Sequence, residues 1–179
     1  LAVVEPNVIT GELQRAVEAV GLFYPPDPAS LDMSSIGGNV AECAGGPRAF
    51  KYGVTKRYVL VLEAVLPGGE VIHTGSKAVK NVVGYDLTQL LVGSEGTLAI
   101  ITKIILRLIA RPLAAATLRA TFASIADAAQ AVSAIVDRGV EPATLELIDR
   151  DSLAAVERFL GEPLAPHGTE ALLLIEVDG

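Results

Sequence analysis

Two β-rich runs constrain this chain more than any other feature. Tyr58 to Leu66 (YVLVLEAVL) is followed by the turn Pro67-Gly68-Gly69 and by a returning run, Glu70 to Thr74. That order predicts a hairpin. Leu98 to Leu108 (LAIITKIILRL) is the most β-like run of the chain, and Pro112 closes it. Between and before these runs lie three glycine-rich connectors: Gly37-Gly38-Asn39, Gly45-Gly46, and Gly93-Ser94-Glu95-Gly96. Glycine permits positive φ and close approach of a flat or anionic ligand to backbone N–H groups. A turn needs glycine just as much, so each pair alone reads equally as a tight turn. Together they point to a cofactor pocket lined by backbone.

The flanking segments complete an α+β order. Ala2 to Glu5 reads as a strand stub. Thr10 reads as the N-cap of a helix carrying Leu13, Ala16, Val17 and Val20, stopped by Gly21. From Leu22 to Tyr52 periodicity disappears, which predicts an irregular connector of about thirty residues, and such loops are commonly functional. Asp86 is placed to cap a short helix over Leu87 to Val92. Beyond Pro112 the order is strand (Ala114 to Phe122), helix capped by Ser124 or Asp127 and ending near Asp137, and strand (Thr144 to Ile148). A helix (Ser152 to Leu160) and a last strand (Leu172 to Val177) follow. This β-α-β-α-β order reads as the start of an α+β layer domain, with a boundary near Arg111-Pro112.

Composition excludes several classes. With 51% hydrophobic and 20% charged residues, the 179-residue chain has ample material for a core. No stretch free of Asp, Glu, Lys and Arg exceeds nine residues, so no membrane span is expected. A net charge of −7 without a dense basic run argues against nucleic acid as a partner. One cysteine, Cys43, forms no internal disulfide, and with His73 and His167 it gives no zinc-ligand spacing. Cys43 fits a reducing, cytoplasmic setting and reads as a small buried apolar side chain. His73 and His167 read as surface residues. The run Gly69 to Lys77 resembles a phosphate loop only superficially, because Ser76 separates the second glycine from the lysine. No GxGxxG or GxSxG is present.

Six ordered motifs carry a family resemblance. They are Pro25-Pro26-Asp27-Pro28-Ala29-Ser30, Ser35-Ile36-Gly37-Gly38-Asn39-Val40-Ala41 and Ala44-Gly45-Gly46-x-Arg48. Lys51-Tyr52-Gly53, Lys80-Asn81-x-x-Gly84-Tyr85-Asp86-Leu87 and Gly93-Ser94-Glu95-Gly96-Thr97-Leu98 follow. The set resembles the FAD-linked oxidases of the vanillyl-alcohol oxidase type (PCMH-type FAD-binding domain), nearest the branch of glycolate oxidase FAD-binding subunits and D-lactate dehydrogenases. The resemblance is dense from Leu22 to Pro112.

The resemblance implies an α+β fold: residues 1–112 as the second subdomain of the FAD-binding domain, then residues 113–179 as the start of a ferredoxin-like cap domain. It implies FAD as cofactor. Pro26, Asp27, Pro28 and Ser30, with Ile36, Gly37, Gly38 and Asn39, would pass along the flavin and its ribityl-phosphate chain. Ala44, Gly45 and Gly46 would border the isoalloxazine, with Tyr52 and Gly53 in the neighbouring motif. Glu95, Gly96, Thr97, Leu98, Ile100 and Ile101 would lie near the adenosine half. The implied reaction is oxidation of a 2-hydroxy acid, glycolate or D-lactate, by hydride transfer from the α-carbon to flavin N5. Implied partners are that substrate and either other glycolate oxidase subunits or a second copy, with peripheral attachment to the inner membrane through such subunits. A non-catalytic scaffold subunit of a flavin oxidase complex is the alternative.

Two residues depart from the family pattern. Cys43 stands where Asn or Thr is common, and Ala99 where glycine is usual. The family's pyrophosphate-binding loop and its histidine-rich motifs have no counterpart here, so the chain reads as an internal fragment. Such a fragment is expected to be inactive and to hold FAD weakly or not at all.

Overall fold

A computed structural model describes residues 1–179, which divide into two compact units. The first comprises Leu1–Gly46 and Tyr52–Arg111, and the second Pro47–Lys51 and Pro112–Gly179. No helix is long and apolar enough to cross a membrane.

The first unit is built on a four-stranded antiparallel sheet. In chain order its elements are β1 (Ala2–Val4), α1 (Thr10–Glu18), β2 (Leu22–Phe23) and α2 (Ile36–Glu42). After a short helix α3 (Ala49–Tyr52) and a 3-10 turn (Thr55–Arg57) come β3 (Val59–Val65), β4 (Val71–Gly75), α4 (Leu87–Leu91), β5 (Ile100–Leu106) and β6 (Ile109–Ala110). The sheet order is β1-β5-β3-β4, and β2 pairs with β6 separately. The hairpin expected from the sequence is β3–β4, with Leu62 opposite Thr74 and Val65 opposite Val71. Alternation along β3 and β5 turns Leu62, Ala64, Ile104 and Leu106 inward, where they join Ile36, Val40, Tyr24 and Tyr58 in one core. The long run 98–108 is interrupted: β5 ends at Leu106, and the chain re-pairs as β6.

Gly75 fixes the end of β4. It has φ +80°, and a Cβ there would lie 2.0 Å from the Leu60 carbonyl oxygen, so only glycine fits.

The structure corrects three local expectations. Thr10 is not an N-cap; Ile9 is, without a side-chain bond, and Thr10 opens the helix. The buried face of α1 is Thr10, Leu13, Gln14 and Val17, while Ala16 and Val20 are exposed. The Thr10 hydroxyl donates to the Ser34 carbonyl at 3.0 Å, and the Gln14 amide donates to the Pro26 carbonyl at 2.8 Å. Both side chains therefore serve as hydrogen-bond partners for the irregular chain above α1. Nor is 22–52 wholly irregular, since it contains β2, α2 and α3. Ser35 caps α2 by accepting from the Gly38 N–H at 3.1 Å, and Ile36 and Val40, four apart, anchor it in the core.

The second unit is a three-stranded antiparallel sheet, β7 (Ala115–Phe122), β9 (Ala171–Asp178) and β8 (Thr144–Asp149), with β9 central. Helices α5 (Ile125–Asp137) and α6 (Arg150–Leu160) connect the strands. Ser124 is the cap of α5, accepting from the Asp127 N–H. Helix α6 begins at Arg150 rather than Ser152, because Asp149, the last residue of β8, is itself the cap and accepts from the Ser152 N–H at 2.8 Å. That bond holds the Asp149 carboxyl below its usual range. A small core of Ala128, Ala171 and Leu173 holds α5 to the sheet.

Candidate functional site

The glycine-rich motifs of the first unit meet around the C-terminal end of α2. Cys43 ends this helix in the left-handed conformation, φ 55°. The Gly93–Gly96 turn is bonded to the same end: Gly93 N–H donates to the Val40 carbonyl and Glu95 N–H to the Ala41 carbonyl, both at 2.9 Å. Gly93, Glu95 and Gly96 all have positive φ, and Glu95 and Cys43 are the two non-glycine residues of the chain that do. Left-handed backbone costs an ordinary residue roughly 1 kcal/mol or more. Two such residues bonded through one helix end make a shape that the surrounding structure enforces.

The Pro-rich segment, Pro25 to Ser30, is the third part of the site. Gly46, at φ +147°, packs so closely on Asp27 that a Cβ would lie 2.3 Å from the Asp27 carbonyl oxygen. Ala44 continues from α2, donating its N–H to the Asn39 carbonyl at 2.8 Å. Its carbonyl accepts from Thr55 twice, from the N–H at 3.0 Å and from the hydroxyl at 2.7 Å. Sequence reasoning missed Thr55; a threonine just after Lys51-Tyr52-Gly53 gives little signal until the loop is seen to close. Tyr52 is fixed by its ring, edge-on to Phe23 at 5.7 Å, and by its carbonyl, which accepts from the Tyr58 hydroxyl. Gly53 has φ +76° beside the Arg57 side chain.

Not every residue of the motifs faces outward. Ile36 is fully buried, and the Asn39 amide donates inward to the Thr10 hydroxyl at 2.6 Å. Gly37 is small because of Pro6, whose Cβ would be 2.5 Å from an added methyl, and its N–H donates to the Pro6 carbonyl. Of that motif Gly38 alone is exposed. Pro26 is buried, Asp27 and Pro28 partly so, and Ser30 is exposed. Beyond the Gly93–Gly96 turn, Thr97 is exposed, as are two apolar side chains, Leu98 at 40% and Ile100 at 70%, whereas Ile101 packs against the core. Ala99 has negative φ and puts its methyl into the core, so the departure from glycine costs nothing there.

Tyr24 lies beneath the loop, fully buried, with its hydroxyl meeting no partner at hydrogen-bonding geometry. Burial pushes this phenol far up, and the nearby Thr55 hydroxyl offsets only part of that. Tyr58 is raised by burial too, against the pull of Arg107, whose guanidinium lies 5.5 Å from its ring centroid. Cys43 is half-buried against the core. His167 is exposed. His73 is also exposed and sits 3.1 Å from Glu63.

A cleft of about 550 Å³ lies elsewhere, between the end of β4 and residues 81–87. His73, Thr74, Asn81, Tyr85 and Asp86 line it, and none of the glycine-loop residues does. Asp86 is committed to capping α4, accepting from the Gln89 N–H at 2.9 Å. Gly38, Gly93, Glu95 and Gly96 are exposed and present their backbone at a surface. That surface fits FAD by its chemistry. Nothing lies within 4 Å of where a Gly96 Cβ would be, and only the Ser35 hydroxyl approaches Gly38. Two exposed apolar side chains, Leu98 and Ile100, follow Gly96 in the chain and offer a face for a flat ring.

Two family models match this chain. Residues 1–75 match the family model of the FAD binding domain, and residues 111–179 match that of the FAD linked oxidases, C-terminal domain. The glycolate oxidase subunit GlcD of Bacillus subtilis is 51% identical over 178 residues, which is 99% of this chain and 38% of that protein. The D-lactate dehydrogenase of Archaeoglobus fulgidus is 39% identical, over 98% of this chain and 39% of that protein. An alkyldihydroxyacetonephosphate synthase structure superposes with a TM-score of 0.81 at 23% identity, over 99% of this chain and 35% of its own, which shows the shared fold. The chain thus spans well under half the length of these relatives. Through residues 1–75 and 111–179, it belongs to the FAD-linked oxidases.

Proposed function

We propose that this chain supplies part of the flavin site of an FAD-dependent oxidoreductase acting on a 2-hydroxy acid such as glycolate or D-lactate. The observation that supports this most is the bonding of two left-handed non-glycine residues, Cys43 and Glu95, around one helix end. It brings the Asp27, Ala44–Gly46 and Glu95–Leu98 motifs to a single surface. The names of the relatives supply the substrate class.

In this reading residues 1–112 are flavin-binding and residues 113–179 begin the cap. Asp27, Pro28, Ser30 and Gly38 lie along the cofactor chain, Ala44, Gly45 and Gly46 border the isoalloxazine, and Tyr52 and Gly53 close that loop. Glu95, Gly96 and Thr97 offer polar contacts for the adenosine half, with Leu98 and Ile100 excluding water beside them. Pro26, Gly37 and Ile101 back these segments from below. Ile36 and Asn39 act from beneath as well, by holding α2. FAD held by these segments would supply the hydride acceptor for oxidation at the substrate's α-carbon. The substrate and either companion subunits or a second copy are the partners.

The test is the flavin content of the complete polypeptide that contains these residues, with and without Gly46→Ala. Stoichiometric FAD, reduced by glycolate or D-lactate, is expected for the wild type, with at least tenfold weaker FAD binding in the variant. A wild-type protein free of flavin after reconstitution, or flavin that neither acid reduces, would sink the reading.

A further inference from the structure

An unbroken run of backbone hydrogen bonds leads from the sheet of the first unit to the glycine loop and on to α2. The Arg107 N–H, just past β5, donates to the Tyr58 carbonyl at 2.7 Å, and the Tyr58 N–H to the Thr55 carbonyl at 2.9 Å. The Thr55 N–H donates in turn to the Ala44 carbonyl at 3.0 Å, and the Ala44 N–H to the Asn39 carbonyl at 2.8 Å. Bonds in such a chain polarise one another, so each link is firmer than it would be alone.

Thr55 is the link that is doubled. Its hydroxyl also donates to the Ala44 carbonyl, at 2.7 Å, so one carbonyl oxygen receives two bonds from one residue. The lone pairs of a carbonyl lie near its peptide plane, so two donors fix the orientation of that plane as well as its distance. Thr55 has little freedom of its own. It is fully buried, it opens the 3-10 turn, and β3 begins at Val59. Beyond Ala44 the chain has no comparable support. The N–H groups of Gly45 and Gly46 have no backbone acceptor, and glycine backbone takes many conformations. Gly46 still packs against Asp27 too closely for a Cβ. The orientation of the Ala44 peptide therefore decides whether the chain reaches that contact.

We infer that Thr55 is a positioning residue, whose N–H and hydroxyl together set the Ala44 peptide and with it the course of Gly45–Gly46. The inference rests on the proposed function for its consequence, because this backbone is the part assigned to the isoalloxazine. The bonding itself is testable without flavin.

The experiment is amide hydrogen exchange on the complete polypeptide prepared without flavin, read at Ala44 and Thr55 with the β3 amides as reference. Thr55→Val keeps the N–H and the side-chain shape but removes the hydroxyl. It is expected to speed exchange at both amides about five- to tenfold with β3 unchanged, whereas Thr55→Ser stays within about twofold of wild type. Should Thr55→Val fail to fold, Thr55→Ser against Thr55→Ala, which both lack the γ-methyl, isolates the hydroxyl with the same expected ratio. Thr102→Val serves as control, since the Thr102 hydroxyl donates to the Glu63 carboxylate in the same unit without touching the loop. Unchanged exchange in Thr55→Val, equal rates in Thr55→Ser and Thr55→Ala, or equal acceleration in Thr102→Val overturns the inference. FAD titration of the same polypeptide separates the two readings. Thr55→Val is expected to bind FAD about tenfold more weakly with a shifted flavin absorbance band, and Thr55→Ser to keep the wild-type values. Failure of the wild type to take FAD while the two amides respond defeats the proposed function and leaves the positioning role standing. Equal FAD affinity and an identical flavin absorbance spectrum in wild type and Thr55→Val overturn the role.

Discussion

Gly46→Ala is the substitution whose cost is most directly worked from the structure. The new Cβ would lie 2.3 Å from the Asp27 carbonyl oxygen and 2.4 Å from its Oδ1. An ordinary contact needs roughly 1 Å more, so either the Asp27 backbone or the loop must move. Forced crowding of a packed site costs about 1–3 kcal/mol, and an L-residue at φ +147° adds about 1–3 kcal/mol. The expected total is about 2–6 kcal/mol before loop movement relieves some of it. The comparison is Gly69→Ala in the β3–β4 turn, where φ is +93° and nothing lies within 4 Å of the added methyl. That variant bears the backbone cost without the collision. Urea unfolding of both variants, analysed at equal m-value, gives the difference. Gly46→Ala is expected to lose at least about 1 kcal/mol more than Gly69→Ala. Equal losses would refute the argument that Gly46 is held against Asp27.

Three further expectations concern the same unit. Cys43→Gly relieves a left-handed β-carbon at the C-terminal cap of α2, so urea unfolding should show it neutral or more stable by up to about 1 kcal/mol; a clear loss would mean that the thiol's packing outweighs the backbone. Tyr24→Phe deletes a buried hydroxyl without a partner and should leave Tm unchanged or raised; a drop of several degrees would reveal a bond to Thr55. The Glu63 carboxylate is held below its usual range by the Thr102 hydroxyl at 2.8 Å, with help from Lys103 and His73. A depressed folded-state pKa stabilises above the unfolded value and stops doing so as pH falls through the folded one. Thermal melts of Glu63→Gln should therefore fall below wild type at pH 7 and converge with it below about pH 4; a gap that persists in acid would assign the loss to packing.

How much was legible in the sequence depends on what holds each element. The hairpin β3–β4 was readable because its alternation and its turn chemistry are local. Helix α2 was not, since seven residues containing Gly37 and Gly38 have weak propensity and no full period. Its support is tertiary: the Ser35 cap, the Pro6 carbonyl, and Asn39 buried on Thr10. For the same reason Asn39 looked like a residue turned to a ligand, and its partner 29 positions away could not be inferred. The glycine loops were legible as loops, but their meeting point depends on Val40 and Ala41 carbonyls that no motif marks. Asp86 as a cap was readable from three residues. Arg48 and Lys51 stood in the motifs, but their partners Glu176 and Asp178 lie more than 120 positions further on and could not be inferred.

The Asp149 junction bears on how this fold can change length. One residue ends β8 and caps α6, so the strand passes into the helix with no spare link. An inserted residue there would move the cap off the helix and turn α6 by about 100° relative to the sheet. The opposite end of α6 closes with Gly161 in the left-handed conformation and runs through an exposed stretch before β9. Added or lost residues should therefore accumulate at 161–168, and the β8–α6 joint should keep its length wherever this second unit is kept.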